Sequence, residues 1–76
     1  MNKRDKVEAE YLKKLGARIK TIRKEKHIKQ VDLGYSCDIE KQSMNRIEAG
    51  KTNPSILLLR KIAEILEVSV GEFLDF

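Results

Sequence analysis

Seventy-six residues suffice for one small domain, which buries only about 60% of the surface its unfolded chain exposes. With a single cysteine, Cys37, and a single histidine, His27, the chain offers neither an internal disulfide nor a four-ligand metal framework, and the lone thiol points to a reducing, cytoplasmic setting. The formal charge is +4 but uneven: residues 1–29 carry a net +7, residues 30–53 a net −1 and residues 54–76 a net −2. A basic front and a mildly acidic back suit one surface that faces a polyanion, or simply a solvated basic helix.

The pattern reads as all helix, since no run alternates apolar and polar residues as a strand would. The longest apolar run, Ile56 to Leu59, is too short to span a bilayer. A first helix is expected from about Asp5 or Lys6 to Lys26, with Val7, Tyr11, Leu12, Leu15, Ile19 and Ile22 on its inner stripe. Residues 1–14 form an N-terminal extension of that helix, ahead of a domain over 15–76. Gly16 costs about 1 kcal/mol relative to Ala inside a helix, which implies a close helix contact there.

Two short helices follow, over about Gln30–Ser36 and Lys41–Ala49. Asp38, a type that tolerates a left-handed backbone, turns the chain between them. Gly50 ends the second as a C′ glycine, and Pro54 keeps Asn53 out of the helical region. Ser55 caps a fourth helix to about Leu66, with Ile56, Leu59, Ile62, Ala63 and Leu66 facing inward. Ser69 and Glu72 have the spacing of a capping box for a last short helix ending near Leu74. The expected fold is therefore an all-α, compact five-helix bundle.

The pair of short helices has the parts of a helix-turn-helix: Gly34 where the helices cross, Asp38 in the turn, and Leu33, Cys37, Ile39, Met44 and Ile47 as anchors. The run Leu15-Gly16, Ile19, Ile22-Arg23, then Gln30 and Leu33, then Ile39 to Glu48, then Gly50-Lys51 and Asn53-Pro54-Ser55 resembles the Cro/C1-type helix-turn-helix family of DNA-binding regulators. That family includes phage repressors and restriction–modification controllers. The resemblance covers about Leu15 to Leu74 and implies a lambda-repressor-like domain. It has departures: Lys29 stands where Ser or Thr is usual, Gly34 where Ala is usual, and Asp38 and Glu67 where Gly is usual. Together they predict modest stability.

Gln42 and Arg46 lie four apart on the third helix and project from one face, opposite Met44 and Ile47. Arg suits guanine O6 and N7, and Gln suits adenine N6 and N7. The resemblance places base contacts at Lys41, Gln42 and Arg46; Lys41 and Asn45 suit a base edge or a phosphate equally. Gln30, at a helix start, is expected on a phosphate, as are Ser43, Lys51 and Thr52. Asn53 reads as a turn residue. The resemblance also implies a salt bridge from Arg23 to Glu48 that ties the first helix to the end of the third. His27 reads as surface and Cys37 as core, whereas Tyr11 and Tyr35 fit either.

A chain that reads one half-site gains specificity by doubling, so a homodimer on a palindromic operator is expected. Leu57, Leu58, Phe73 and Phe76 are the expected interface, with Leu74 in the core. No nucleophile–base arrangement, glycine-rich phosphate loop or metal cluster is visible, and neither a cofactor nor a small-molecule ligand is implied. The function expected is sequence-specific binding of double-stranded DNA by a repressor or controller, bacterial or phage-encoded, in the cytoplasm and on the nucleoid when bound. The rival is an antitoxin-like module that binds a protein partner.

Overall fold

The computed structural model describes residues 2–76. Five helices run in chain order: α1 Lys3–Glu25, α2 Gln30–Ser36, α3 Lys41–Glu48, α4 Ile56–Leu66 and α5 Val70–Phe73. No strand occurs among the described residues, and none of these helices is long and apolar enough to cross a membrane. The molecule measures 36 × 24 × 20 Å. At 1.5 Å per residue α1 is about 35 Å long and spans the whole length.

α1 begins two or three residues before the expected start because Asn2 caps it: the Asn2 side chain accepts a hydrogen bond from the Asp5 N–H at 2.8 Å. The core is a single cluster of Leu15, Ile19, Ile22, Leu33, Cys37, Met44, Ile47, Leu59, Ile62, Ala63, Leu66 and Phe73. Leu12, Ile28, Ile39, Leu58, Ile65, Val68 and Val70 pack around it, half-buried. Burial pushes the Cys37 thiol pKa up, against a smaller lowering by Lys61, so the group stays protonated and packs as a small apolar side chain.

Each of the four longer helices ends the same way, with a residue in the left-handed region. His27 (φ 59°), Asp38 (φ 58°), Gly50 (φ 73°) and Glu67 (φ 60°) follow α1, α2, α3 and α4 in turn. After α1 the His27 N–H donates to the Lys24 carbonyl and the Ile28 N–H to the Arg23 carbonyl, the paired bonds of a Schellman stop. After α3 the Gly50 N–H donates to Ile47 and the Lys51 N–H to Arg46 in the same pattern. The last helix is capped by Glu72, whose carboxylate accepts from the Ser69 N–H at 2.9 Å.

The burial expected at Val7, Ile56, Phe73 and Leu74 is corrected, and Tyr11 and Tyr35, which fitted either place, lie at the surface. Val7 and Tyr11 are 57% and 48% exposed, because the first turns of α1 extend beyond the elements that cover its centre. Ile56, the first residue of α4, is exposed for a similar reason. Phe73 is fully buried and cannot serve as a surface contact, while Leu74, expected in the core, is 40% exposed. Val70 and Phe73 are three apart and share the inner face of α5, so Leu74, the C-cap residue, turns outward. Tyr35 is 85% exposed, which settles its open placement as surface.

Candidate nucleic-acid interface

α3 is held by two close crossings. A Cβ on Gly34 in α2 would lie 3.1 Å from the Ile39 carbonyl oxygen, so the turn into α3 passes tightly over α2. A Cβ on Gly16 in α1 would lie 2.3 Å from the Ile47 carbonyl oxygen and 2.6 Å from that of Glu48, closer than any real Cβ packs. Only glycine lets the C-terminal end of α3 rest against α1 there. With Met44 and Ile47 in the core, the opposite face of α3 is fixed in orientation and open to solvent.

That face carries Lys41, Gln42, Ser43, Asn45 and Arg46, all exposed. Gln42, Asn45, Arg46 and Lys51 line one shallow depression. On the other flank of Arg46, a second depression of about 300 Å³ is lined by Ser43, Thr52, Asn53, Pro54 and Ser55, among others. Arg46 therefore lies between both groups. Lys41, the first residue of α3, lines neither depression.

Behind α3, Arg23 and Glu48 form a buried ion pair with two bonds, Nε to Oε2 at 2.6 Å and Nη2 to Oε1 at 3.1 Å. Each residue is 7% exposed. Arg23 Nη1 also donates to the Ile28 carbonyl at 2.8 Å, and Gln30 Nε2 donates to Glu48 Oε1 at 3.0 Å. Neither of those last two bonds is encoded in the local sequence pattern. Gln30 is thus half-buried and held by Glu48 rather than lying free at the start of α2. One pair of charges joins the end of α1, the start of α2 and the end of α3, and no buried side-chain polar atom among the described residues lacks a partner.

At the back of the bundle the expected interface residues separate. Leu57 is 71% exposed, Leu58 is half-buried against the core and Phe73 is inside it. Phe76 packs edge-on against Tyr11 with ring centroids 5.0 Å apart, and the Lys14 ammonium lies 5.9 Å from its centroid. Arg18 ties α1 to α5 by donating from Nε to the Glu72 carbonyl at 2.9 Å.

Two short helices braced at a glycine, with the second exposing a polar face, form a helix-turn-helix, and the family described as Helix-turn-helix matches residues 19–73. The chain belongs to the helix-turn-helix family. The resemblance read from the sequence holds. SinR of Bacillus subtilis, a helix-turn-helix-type transcriptional regulator, is 40% identical over 62 residues, which cover 80% of this chain and 56% of SinR. The chain thus spans little more than half of that relative's length. The ImmF control region 10 kDa protein of Bacillus phage phi105 is 38% identical over 59 residues, covering 78% of this chain and 66% of the phage protein. The crystal structure of the restriction–modification controller protein C.AhdI from Aeromonas hydrophila superposes with a TM-score of 0.81 at 25% identity, covering 86% of this chain and 94% of C.AhdI. The clp gene regulator ClgR of Corynebacterium glutamicum shares the fold, with a TM-score of 0.82 at 23% identity over 84% of this chain and 68% of its own.

Proposed function

We propose that this helix-turn-helix protein binds double-stranded DNA at specific sequences and regulates transcription from a palindromic operator as a homodimer in the cytoplasm. The observation that carries the reading is the convergence of Gln42, Asn45 and Arg46 on one exposed face of a helix fixed from behind, with Lys51 beside them in the loop that follows. Gln42 and Arg46 read base edges, Arg46 as a bidentate donor to guanine and Gln42 to adenine. Lys41 and Asn45 meet either a base or a phosphate. Ser43, Thr52 and Lys51 flank Arg46 and hold phosphates, which set register without carrying sequence. Gln30 uses one amide N–H on Glu48 and keeps the second for a phosphate at the start of α2.

The test is selection of bound sites from random duplexes at near-physiological salt, with wild type and Arg46→Ala run in parallel. The expected outcome is a palindrome that loses preference at one symmetric position in the variant, at a cost of about 1–3 kcal/mol per half-site. Weak, salt-sensitive binding with no recovered sequence would overturn the reading and move a protein partner to the front.

A further inference from the structure

α1 begins well before the family match at residue 19, and its middle, at Lys13 and Gly16, lies against the end of α3. A Cβ on Gly50 would lie 2.5 Å from Lys13 Cα, 2.7 Å from Lys13 N and 2.9 Å from Lys13 Cγ. One turn along α1, Gly16 makes the equally close approach to the Ile47 and Glu48 carbonyls. These two contacts pin the turn Lys13–Gly16 to the point where the chain leaves α3 for the loop that starts with Lys51.

From this geometry we infer that Lys13 is a DNA phosphate contact, extending the edge formed by Lys51 and Thr52 onto the first helix. The inference rests on the DNA-binding reading above. The Lys13 side chain is exposed, and its stem starts against Gly50, the residue before Lys51. The ion pairs among the described residues are Arg4–Glu8 and Arg23–Glu48, so Lys13, Lys51 and Arg46 carry uncompensated charge on neighbouring backbone. Such an edge repels itself in the free protein and is relieved by a polyanion. Glu10, one turn further out on the same side of α1, closes the edge, so the contact is with one phosphate rather than a track of them. Lys14 is turned away, with its ammonium over Phe76, and supplies the control.

The experiment measures affinity as a function of salt for wild type, Lys13→Ala and Lys14→Ala, on the selected duplex and on an unrelated duplex. A lost phosphate contact lowers the slope of log K against log salt by about 0.9 per bound protomer, which is about a fivefold loss of affinity per protomer at physiological salt. Lys13→Ala is expected to show that loss equally on both duplexes, with the helical signal and melting curve of wild type, while Lys14→Ala keeps the wild-type slope. An unchanged slope for Lys13→Ala, a loss confined to the selected duplex, or an equal loss in Lys14→Ala would overturn the assignment and leave the DNA reading standing. Absence of salt-dependent binding by wild type would overturn both.

Discussion

At the scale of single residues, the Arg23–Glu48 pair has the largest energetic consequence. Both charges are out of water, so their mutual attraction mostly repays desolvation and contributes orientation more than net stability. Removing one partner is different. Glu48→Ala leaves the guanidinium buried with only the Ile28 carbonyl, and it also releases Gln30. The expected loss is about 3–5 kcal/mol, a large share of the roughly 4–11 kcal/mol that a chain of this size holds in total. Thermal melting monitored by circular dichroism checks it. The double variant Arg23→Met with Glu48→Leu is expected to recover most of that loss, because it removes both desolvation penalties at once. A melting curve for Glu48→Ala that overlays wild type would mean that water or another group satisfies Arg23, and the pair would lose its role in aiming α3.

At the scale of elements, the helix stops decide both stability and how much could be read in advance. Asp38 and Gly50 were legible because their types favour the left-handed region, and histidine is also enriched there. Glu67 has no such excuse: it is exposed and no side-chain hydrogen bond compensates its φ of 60°. The left-handed backbone costs a residue with a Cβ about 1–2 kcal/mol, against about 0.4–1 kcal/mol of extra unfolded-state entropy for glycine. Glu67→Gly is therefore expected to stabilise by roughly 0.5–1 kcal/mol, raising the melting temperature by several degrees. A lower melting temperature would show that the Glu67 side chain contributes a contact of its own. The span of α4 followed from the sequence because the Ser55 cap and the apolar spacing agree there, and that of α2 followed from its apolar spacing and the Asp38 turn, without a capping side chain at Lys29. What the sequence could not show was which half of each stripe has a neighbour. Val7 and Tyr11 continue the spacing of Leu15 and Ile19, yet both stay exposed, Tyr11 with only the edge contact of Phe76, and Phe73 rather than Leu74 turns inward because α5 is only four residues long. At the candidate interface, spacing alone grouped Gln42 with Arg46. The bond from Gln30 to Glu48 and the approach of Lys13 to Gly50 depend on how α1 crosses α3, which no local pattern encodes.

At the scale of the whole molecule, the homodimer remains the part of the proposal that α3 alone cannot supply. Two bidentate readers at about 1–3 kcal/mol each give one half-site too little discrimination against a genome of competing sites, and a two-fold pair doubles that term on a palindrome. The surface for it excludes Phe73 and centres on Leu57, which points away from the core of α4 with Leu58 half-buried beside it. Burying a leucine is worth about 2 kcal/mol, and a two-fold contact uses Leu57 twice, so its loss weakens the dimer by about 4 kcal/mol, several hundredfold in the dissociation constant. Sedimentation of wild type is expected to show a mass that rises with concentration through the micromolar range, and Leu57→Glu to hold the monomer mass throughout. Because Leu57 faces solvent within one chain, that variant should melt like wild type at concentrations where both are monomeric. A wild type that stays monomeric at high micromolar concentration would remove the self-associating surface. A Leu57→Glu variant that dimerises as well as wild type would instead move the contact to the half-exposed cluster of Tyr11, Leu74 and Phe76, where the tail lies against α1.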